Sequence, residues 1–375
     1  AGPDYTLDQS ATATLTVRPK AIMVTADNRG ITYGQADAAF TSAVSGLVGS
    51  DQLTVPGTCG VSGSHTAAGS YPITCSGADG GGNYTISYAA GTLGVAKAVL
   101  TVNAPSPSTT YGVKASTVSL APTYGGLVNA DTPSSAGVAS ASCATAASVT
   151  SGGSYPAGSF PVTCSGPTGT ANYTVHYSAG TLTVGSATLT VTARDASRPY
   201  GAADPAFTTT VSGLVNSDTA SAAYSGTAAT ATTATATSPA GSYPITVASG
   251  TLTSTNYTFA FASGTLTVTA ATTSLTAAAV LVTLGGHSAQ VNVGTISATL
   301  RYGSSARPVV GATITFTARS IAVCAAVTDA TGKATCSLTA VQDAKVISSL
   351  GYTATFVGSS DLLGSSGSAG LIQFR

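Results

Sequence analysis

Four landmarks occur three times along this chain in the same order, and that repetition constrains the fold more than any other feature. Each copy opens with a strand-like run leading to a Tyr-Gly pair. These are Ala21-Ile22-Met23-Val24-Thr25 to Tyr33-Gly34, Ala98-Val99-Leu100-Thr101-Val102 to Tyr111-Gly112, and Ala187-Thr188-Leu189-Thr190-Val191 to Tyr200-Gly201. A Gly-Leu-Val triplet follows, beginning at Gly46, Gly126 and Gly213, with an acid a few residues on at Asp51, Asp131 and Asp218. Next comes an aromatic-Pro run at Tyr71-Pro72, Phe160-Pro161 and Tyr243-Pro244. Each copy closes with Asn-Tyr-Thr (Asn83, Asn172, Asn256) and Gly-Thr-Leu (Gly91, Gly180, Gly264). Self-similarity at a fixed period identifies a tandem array of small modules.

The local pattern inside each copy is that of strands. In Tyr173-Thr174-Val175-His176-Tyr177 and in Thr181-Leu182-Thr183-Val184 apolar and polar residues alternate, the period of a half-buried strand. With a glycine between them, the two runs are expected to form a hairpin. The proline of the aromatic-Pro run lacks an amide donor, so that strand is expected to begin at a sheet edge or lie where no ladder bond is needed. The tyrosine of each Tyr-Gly pair is expected in the core, and its glycine at a positive φ.

Composition agrees. Trp is absent, Met occurs once, and Thr, Ser, Gly, Ala and Val dominate, poor material for amphipathic helices and good material for short strands. An all-β chain is expected, a linear array of small modules. Charged residues make up 7% of the chain, thirteen basic against thirteen acidic, which leaves no field to steer nucleic acid or anionic lipid. The longest apolar stretch, Ala277 to Leu284, is far short of the roughly 20 residues a spanning helix needs. No nucleic-acid partner and no membrane span are expected.

The landmarks resemble the bacterial MBG domain of the YGx type, marked by Tyr-Gly after the first strand, a Gly-Leu-Val-Asn-x-Asp-Thr turn, Asn-Tyr-x-Ile and Gly-Thr-Leu-x-Val. The third copy matches best, through Asp204-Pro205-Ala206-Phe207 and Val211 to Thr219; the second departs most, with Pro105-Ser106-Pro107 and Lys114-Ala115 around Tyr111. The resemblance spans residues 4–269. It implies a small, mostly-β module found in tandem in large secreted or surface-attached bacterial proteins, and it brings no catalytic residues and no cofactor. The copies are placed at 20–96, 97–185 and 186–270.

Ahead of them, Asp4-Tyr5-Thr6-Leu7 through Thr14-Leu15-Thr16-Val17 aligns with the closing landmarks of the later copies. Residues 1–19 are therefore read as the closing hairpin of a preceding repeat, cut short. The alternative is a donor segment that completes the sheet of another copy of the chain by strand addition.

From residue 271 the landmarks stop. Pro308-Val309-Val310-Gly311, Thr328-Asp329-Ala330-Thr331-Gly332-Lys333-Ala334 and Tyr352-Thr353-Ala354-Thr355-Phe356-Val357-Gly358 resemble the bacterial immunoglobulin-like repeats of surface proteins. That resemblance implies a β-sandwich at 271–375, acting as a spacer or a receptor-binding tip.

The six cysteines fall two per module: Cys59 and Cys75, Cys143 and Cys164, Cys324 and Cys336. In the third copy the matching positions, about Ala228 and Val247, have both lost cysteine, as bonded partners would. No Cys-x-x-Cys or Cys/His cluster suggests metal. Three disulfides within modules are expected, each stabilising by about 2–4 kcal/mol, and with them an oxidising, extracellular or cell-surface location.

No catalytic constellation emerges. His65, His176 and His287 occupy unrelated positions, and Asp27 and Asp195 read as turn residues following first strands. Asn83, Asn172 and Asn256 lie in Asn-x-Thr sequons that permit N-glycosylation in a suitable host, but the triplet also belongs to the repeat. The Thr/Ala tract from Thr227 to Thr237 is read as a loop or edge strand rather than a binding face. The expectation is a non-enzymatic extracellular stalk or adhesin segment whose short linkers keep neighbours semi-rigid. Its alternatives are a filament or sheath subunit, and a C-terminal domain that binds carbohydrate or a surface protein.

Overall fold

The computed structural model describes residues 13–284 and 291–373; strand makes up 49% of the structure and helix 5%, the remainder being turns and loops. The chain divides into two compact units, 1–185 and 186–375.

The first unit holds the first two repeats, and each folds as a three-stranded and a four-stranded sheet. In the first repeat, Lys20–Ala26 lies between Ser42–Ser45 (antiparallel) and Tyr84–Ala89 (parallel). The other sheet runs Arg29–Thr32, Gly91–Ala96, Gly69–Ser76, Thr58–Val61. The second repeat repeats this plan: Thr123–Gly125, Ala98–Asn103 and Tyr173–Ser178 in one sheet, and Ser142–Thr145, Gly158–Ser165, Gly180–Gly185 and Ser108–Thr110 in the other. Inward residues alternate as the sequence predicts: Ile22, Val24 and Ala26 are buried, as are Leu100 and Val102, and Leu182 and Val184. One hydrophobic cluster runs through both repeats, from Val24, Ile73 and Leu93 to Leu100, Tyr173 and Val175.

The expected closing hairpin does not form. The Asn-Tyr-Thr strand pairs in parallel with the first strand, whereas the Gly-Thr-Leu strand joins the other sheet. Alternation is the same for a hairpin and for a chain that changes sheets, so the pattern does not distinguish them. Glycine enables the crossing. A Cβ at Gly180 would stand 2.1 Å from the Pro105 carbonyl oxygen, and one at Gly91 2.5 Å from that of Ala26. The following amide is held by a side chain at the end of the first strand: Thr92 N–H donates to Asn28 Oδ1 and Thr181 N–H to Ser106 Oγ.

Pro72 sits in an internal strand, but one residue before Ile73, the last residue paired with the outer strand. Pro161 sits likewise one residue before Val162, the last to pair with Thr145. The strand begins beyond its neighbour's end, where one amide needs no partner. Two disulfides pin the outer strand to this one through directly opposed residues, Cys59–Cys75 with Cα atoms 4.0 Å apart and Cys143–Cys164 at 3.9 Å.

Of the segment expected to form a preceding closing hairpin, residues 4–12 lie outside the described residues. Residues 13–19 form no strand, and Leu15 and Val17 are exposed.

The second unit begins with the third repeat, of the same plan. Ala187–Ala193 lies between Thr209–Ser212 and Tyr257–Ala262, and the other sheet runs Ala196–Pro199, Gly264–Thr269, Gly241–Ala248, Ala229–Thr232. The Thr/Ala tract supplies that last edge strand. Gly264 makes the same sheet crossing against the Ala193 carbonyl, and Asp195 accepts the Thr265 amide. Asp195 thus corresponds to Asn28, not to Asp27. The residue opposite Val247 is Thr230, two residues beyond the position the sequence alignment points to. The loop before this strand has no landmark, so its length cannot be read from sequence.

Residues 271–284 and 291–373 carry two further sheets. One carries Thr273–Ala277, Thr295–Tyr302 and Arg307–Pro308, with Lys333–Ser337 also on Thr295–Tyr302. The other runs Val291–Asn292, Val280–Leu284, Ser365–Gln373, Gly351–Phe356, Thr313–Ala318, Ile321–Val327. They enclose a core of Leu275, Ile296, Leu300, Ile314, Phe316 and Tyr352. Cys324–Cys336 links the two sheets, Cα to Cα 6.6 Å. Two α-helices among the described residues depart from the all-strand expectation, a single turn at Ala220–Ala223 in the third repeat and Ala340–Ser348 here, the latter started by a capping box in which Thr339 and Gln342 satisfy each other's backbone amides.

Candidate functional site

The landmark residues converge on the ends of the repeats. The Tyr-Gly pair occupies a turn: Gln35 N–H donates to Thr32 O and Val113 N–H to Thr110 O, which places the glycine third in the turn. Gly34 has φ +89°, Gly112 +102° and Gly201 +81°, the left-handed region a type II turn requires there. The tyrosine amide anchors the turn to the last strand of its own repeat, Tyr33 to Ala96 O, Tyr111 to Gly185 O and Tyr200 to Thr269 O, each at 2.8 Å.

The other landmarks build a socket. In all three repeats the tyrosine of Asn-Tyr-Thr donates its hydroxyl to the acid that follows Gly-Leu-Val: Tyr84 to Asp51 at 2.5 Å, Tyr173 to Asp131 at 2.7 Å and Tyr257 to Asp218 at 2.7 Å. The same hydroxyl accepts the valine amide at 3.1 Å, from Val48, Val128 and Val215. Sequence reading lists these residues but does not couple them. The signal was their joint recurrence, an acid and a phenol present together in every copy.

In the first unit the corner of the first repeat enters the socket of the second. Tyr33, 8% exposed, meets Tyr173 edge-to-face at 5.5 Å and donates its hydroxyl to Asp131 Oδ2 at 3.0 Å. Gly34 faces Val128 so closely that a Cβ would stand 2.5 Å from Val128 Cγ2. Asn172 Oδ1 accepts the Ala68 amide at 3.0 Å, a second tie across the junction. Tyr33 is therefore buried against the next repeat and not only in its own. The electrostatics follow. The Tyr173 hydroxyl, with those of Ser135 and Tyr33, holds the Asp131 carboxyl below the usual carboxylate range against the opposing effect of desolvation. Burial first, then the bond to Asp131, pushes the Tyr173 phenol up to about 12.

The second unit reuses the corner on a different surface. The Tyr200 ring packs on Tyr302 at 5.6 Å, a Cβ on Gly201 would stand 2.5 Å from Tyr302 Cε2, and the Ala240 amide donates to Asp361 Oδ1 at 2.7 Å. Ala240 holds the place in Ala-Gly-Ser-Tyr-Pro that Ala68 holds in the first repeat. Two contacts, a Tyr-Gly corner and an alanine amide, thus recur with different partners.

The remaining candidates do not assemble. His65 pairs with Asp37 at 2.8 Å, His176 stands exposed on its strand, and His287 lies outside the described residues. Among the described residues no three His, Cys, Asp or Glu side chains gather as a metal set. Of the sequon asparagines, Asn83 is exposed and Asn172 is committed to the junction. Among the described residues no helix is long and apolar enough to cross a membrane.

The fold defines a tandem array of small β modules, and inside each unit the Tyr-Gly corner of one module seats against the next. Residues 22–94, 100–183 and 189–267 match the model of the MBG domain (YGX type), and the chain belongs to that family. No curated protein matches the sequence. Among solved structures, it is similar to part of a 1.5-MDa bacterial ice-binding adhesin at 10% identity, covering 82% of this chain and 92% of that one with a TM-score of 0.23. Drosophila N-cadherin EC1-4 matches at 10% identity, 82% and 83% coverage and a TM-score of 0.20. The S-layer protein rSbsC matches at 13% identity, 94% and 54% coverage and a TM-score of 0.17.

Proposed function

We propose that this chain is a non-enzymatic spacer segment of an extracellular or cell-surface bacterial protein, a stalk or adhesin segment. Its modules lie at 20–96, 97–185, 186–270 and 271–375, the last an immunoglobulin-like sandwich. The observation that carries the reading is the junction of the first two repeats. A single residue, Lys97, separates strand Gly91–Ala96 from strand Ala98–Asn103, one core runs through both repeats, and Tyr33 and Gly34 are seated in the socket beyond. Such a junction resists bending, which a spacer needs and an independent binding module does not. Three disulfides support an oxidising compartment. The two packed sheets and the inter-sheet bridge Cys324–Cys336 support the immunoglobulin-like assignment.

Immunogold labelling of residues 271–375 on intact producing cells tests the proposal, with and without one further MBG repeat inserted in the chain. The label is expected outside the envelope, displaced outward by the insertion. Label that is reached only after lysis, or that does not move, overturns the reading.

A further inference from the structure

The socket that seats Tyr33 in the second repeat exists, residue for residue, on the first. Val48, Asp51, Asn83 and Tyr84 correspond to Val128, Asp131, Asn172 and Tyr173, and the clasp is already made: Tyr84 donates to Asp51 and accepts the Val48 amide. The two sockets differ in cover. Tyr173 has no exposed surface and Val128 is half-buried, whereas Tyr84 is half-buried, Val48 is 52% exposed and Asn83 is exposed. The four residues line one open concavity, rimmed by Arg18 and Lys20.

We infer that this concavity is a docking site for another MBG repeat, whose Tyr-Gly corner would meet Tyr84 edge-to-face and abut Val48, and whose alanine amide would donate to Asn83 Oδ1. The junction of the first two repeats specifies the chemistry of the occupant. A glycine is needed where the corner meets the valine, because Gly34 leaves no space for a Cβ against Val128. A tyrosine places a second hydroxyl on the carboxylate, as Tyr33 does on Asp131. A backbone amide replaces Ala68. A glycan offers hydroxyls but no aromatic ring to set against Tyr84. The inference rests on the geometry of the junction and not on where the chain is displayed, so it stands or falls apart from the labelling experiment above.

The test is a chain in which a copy of residues 20–97 is placed directly ahead of Ala21, so that the added repeat reaches the socket through the same single lysine that joins repeats one and two. Amide hydrogen exchange at Val48 is expected to slow by roughly tenfold or more, and the Tyr84 ring resonances are expected to shift. Both changes are expected to vanish when Val48→Arg fills the socket, a substitution at an exposed position that leaves the unextended chain folded. The number of disulfides by mass spectrometry reports whether the added copy folds. A folded copy that leaves Val48 and Tyr84 as they are in the unextended chain overturns the inference. So does an added copy that fails to fold where the same sequence folds ahead of the second repeat, since only the socket it meets has changed.

Discussion

Gly34 and Gly63 have the same backbone angle, φ +89°, but a Cβ at Gly63 would meet nothing within 4 Å, whereas one at Gly34 would stand 2.5 Å from Val128 Cγ2 and 2.6 Å from Val128 Cβ. Alanine at either position carries the left-handed penalty of about 1–2 kcal/mol, partly offset by the lower entropy of the unfolded chain. Gly63→Ala is therefore expected to cost about 1 kcal/mol. Gly34→Ala adds a clash with the centre of a branched side chain, about 1–3 kcal/mol of overpacking, for a total near 3 kcal/mol. Val128→Ala removes the two Cγ contacts but keeps the one to Cβ, so the double variant is expected to recover about 1 kcal/mol. Two docked repeats need not unfold in one step, so the assay is native-state hydrogen exchange, read on the Leu93 and Leu100 amides on either side of the junction. Equal costs for Gly34→Ala and Gly63→Ala, or strict additivity of Gly34→Ala with Val128→Ala, would refute the argument that the glycine is there to admit the neighbouring repeat.

Other expectations follow from the same contacts. The double substitution Thr230→Cys with Val247→Cys is expected to close a disulfide in the third repeat, because these residues face each other as the cysteine pairs do in the other two. It should stabilise that repeat by about 3 kcal/mol, measured by thiol titration and thermal melting. Tyr352, 3% exposed, donates toward Ala278 O at 2.7 Å and Ser297 O at 2.6 Å. Tyr352→Phe leaves both carbonyls without that donor and is expected to cost about 1–3 kcal/mol in urea unfolding of the second unit. Acid should loosen the junction of the first two repeats. The Asp131 pKa is lowered on folding, so its contribution is present above the unfolded value of about 3.9 and is lost as the pH falls through the lower folded one. Val128 amide protection should hold steady down to about pH 4 and then decline; a decline beginning near neutrality would contradict this assignment.

Much of the fold was legible because it is repeated. Three copies of one alternating pattern locate the strands, and the loss of both cysteines from the third copy points to bonded partners. What escaped is what periodicity leaves undetermined. The sheet change at Gly91, Gly180 and Gly264 has the same alternation as a hairpin, and only the close approach to a carbonyl distinguishes it. The socket depends on contacts between Tyr173 and Asp131, far apart in sequence, and on Tyr33 arriving from another repeat. A buried tyrosine looks the same in sequence whichever module covers it. The helix at Ala340–Ser348 was announced locally by Thr339 and Gln342, but a composition poor in helix formers argued against it.

In the first unit the Tyr-Gly corner is expected to couple the first MBG repeat rigidly to the second. Residual dipolar couplings measured separately for residues 20–96 and 97–185 in the intact chain test this coupling. A single alignment tensor is expected to fit both repeats in the native chain, and separate tensors once Gly34→Ala disturbs the corner. Two independent tensors in the native chain would mean that the repeats move freely, and the account of the junction as a rigid coupling would be wrong.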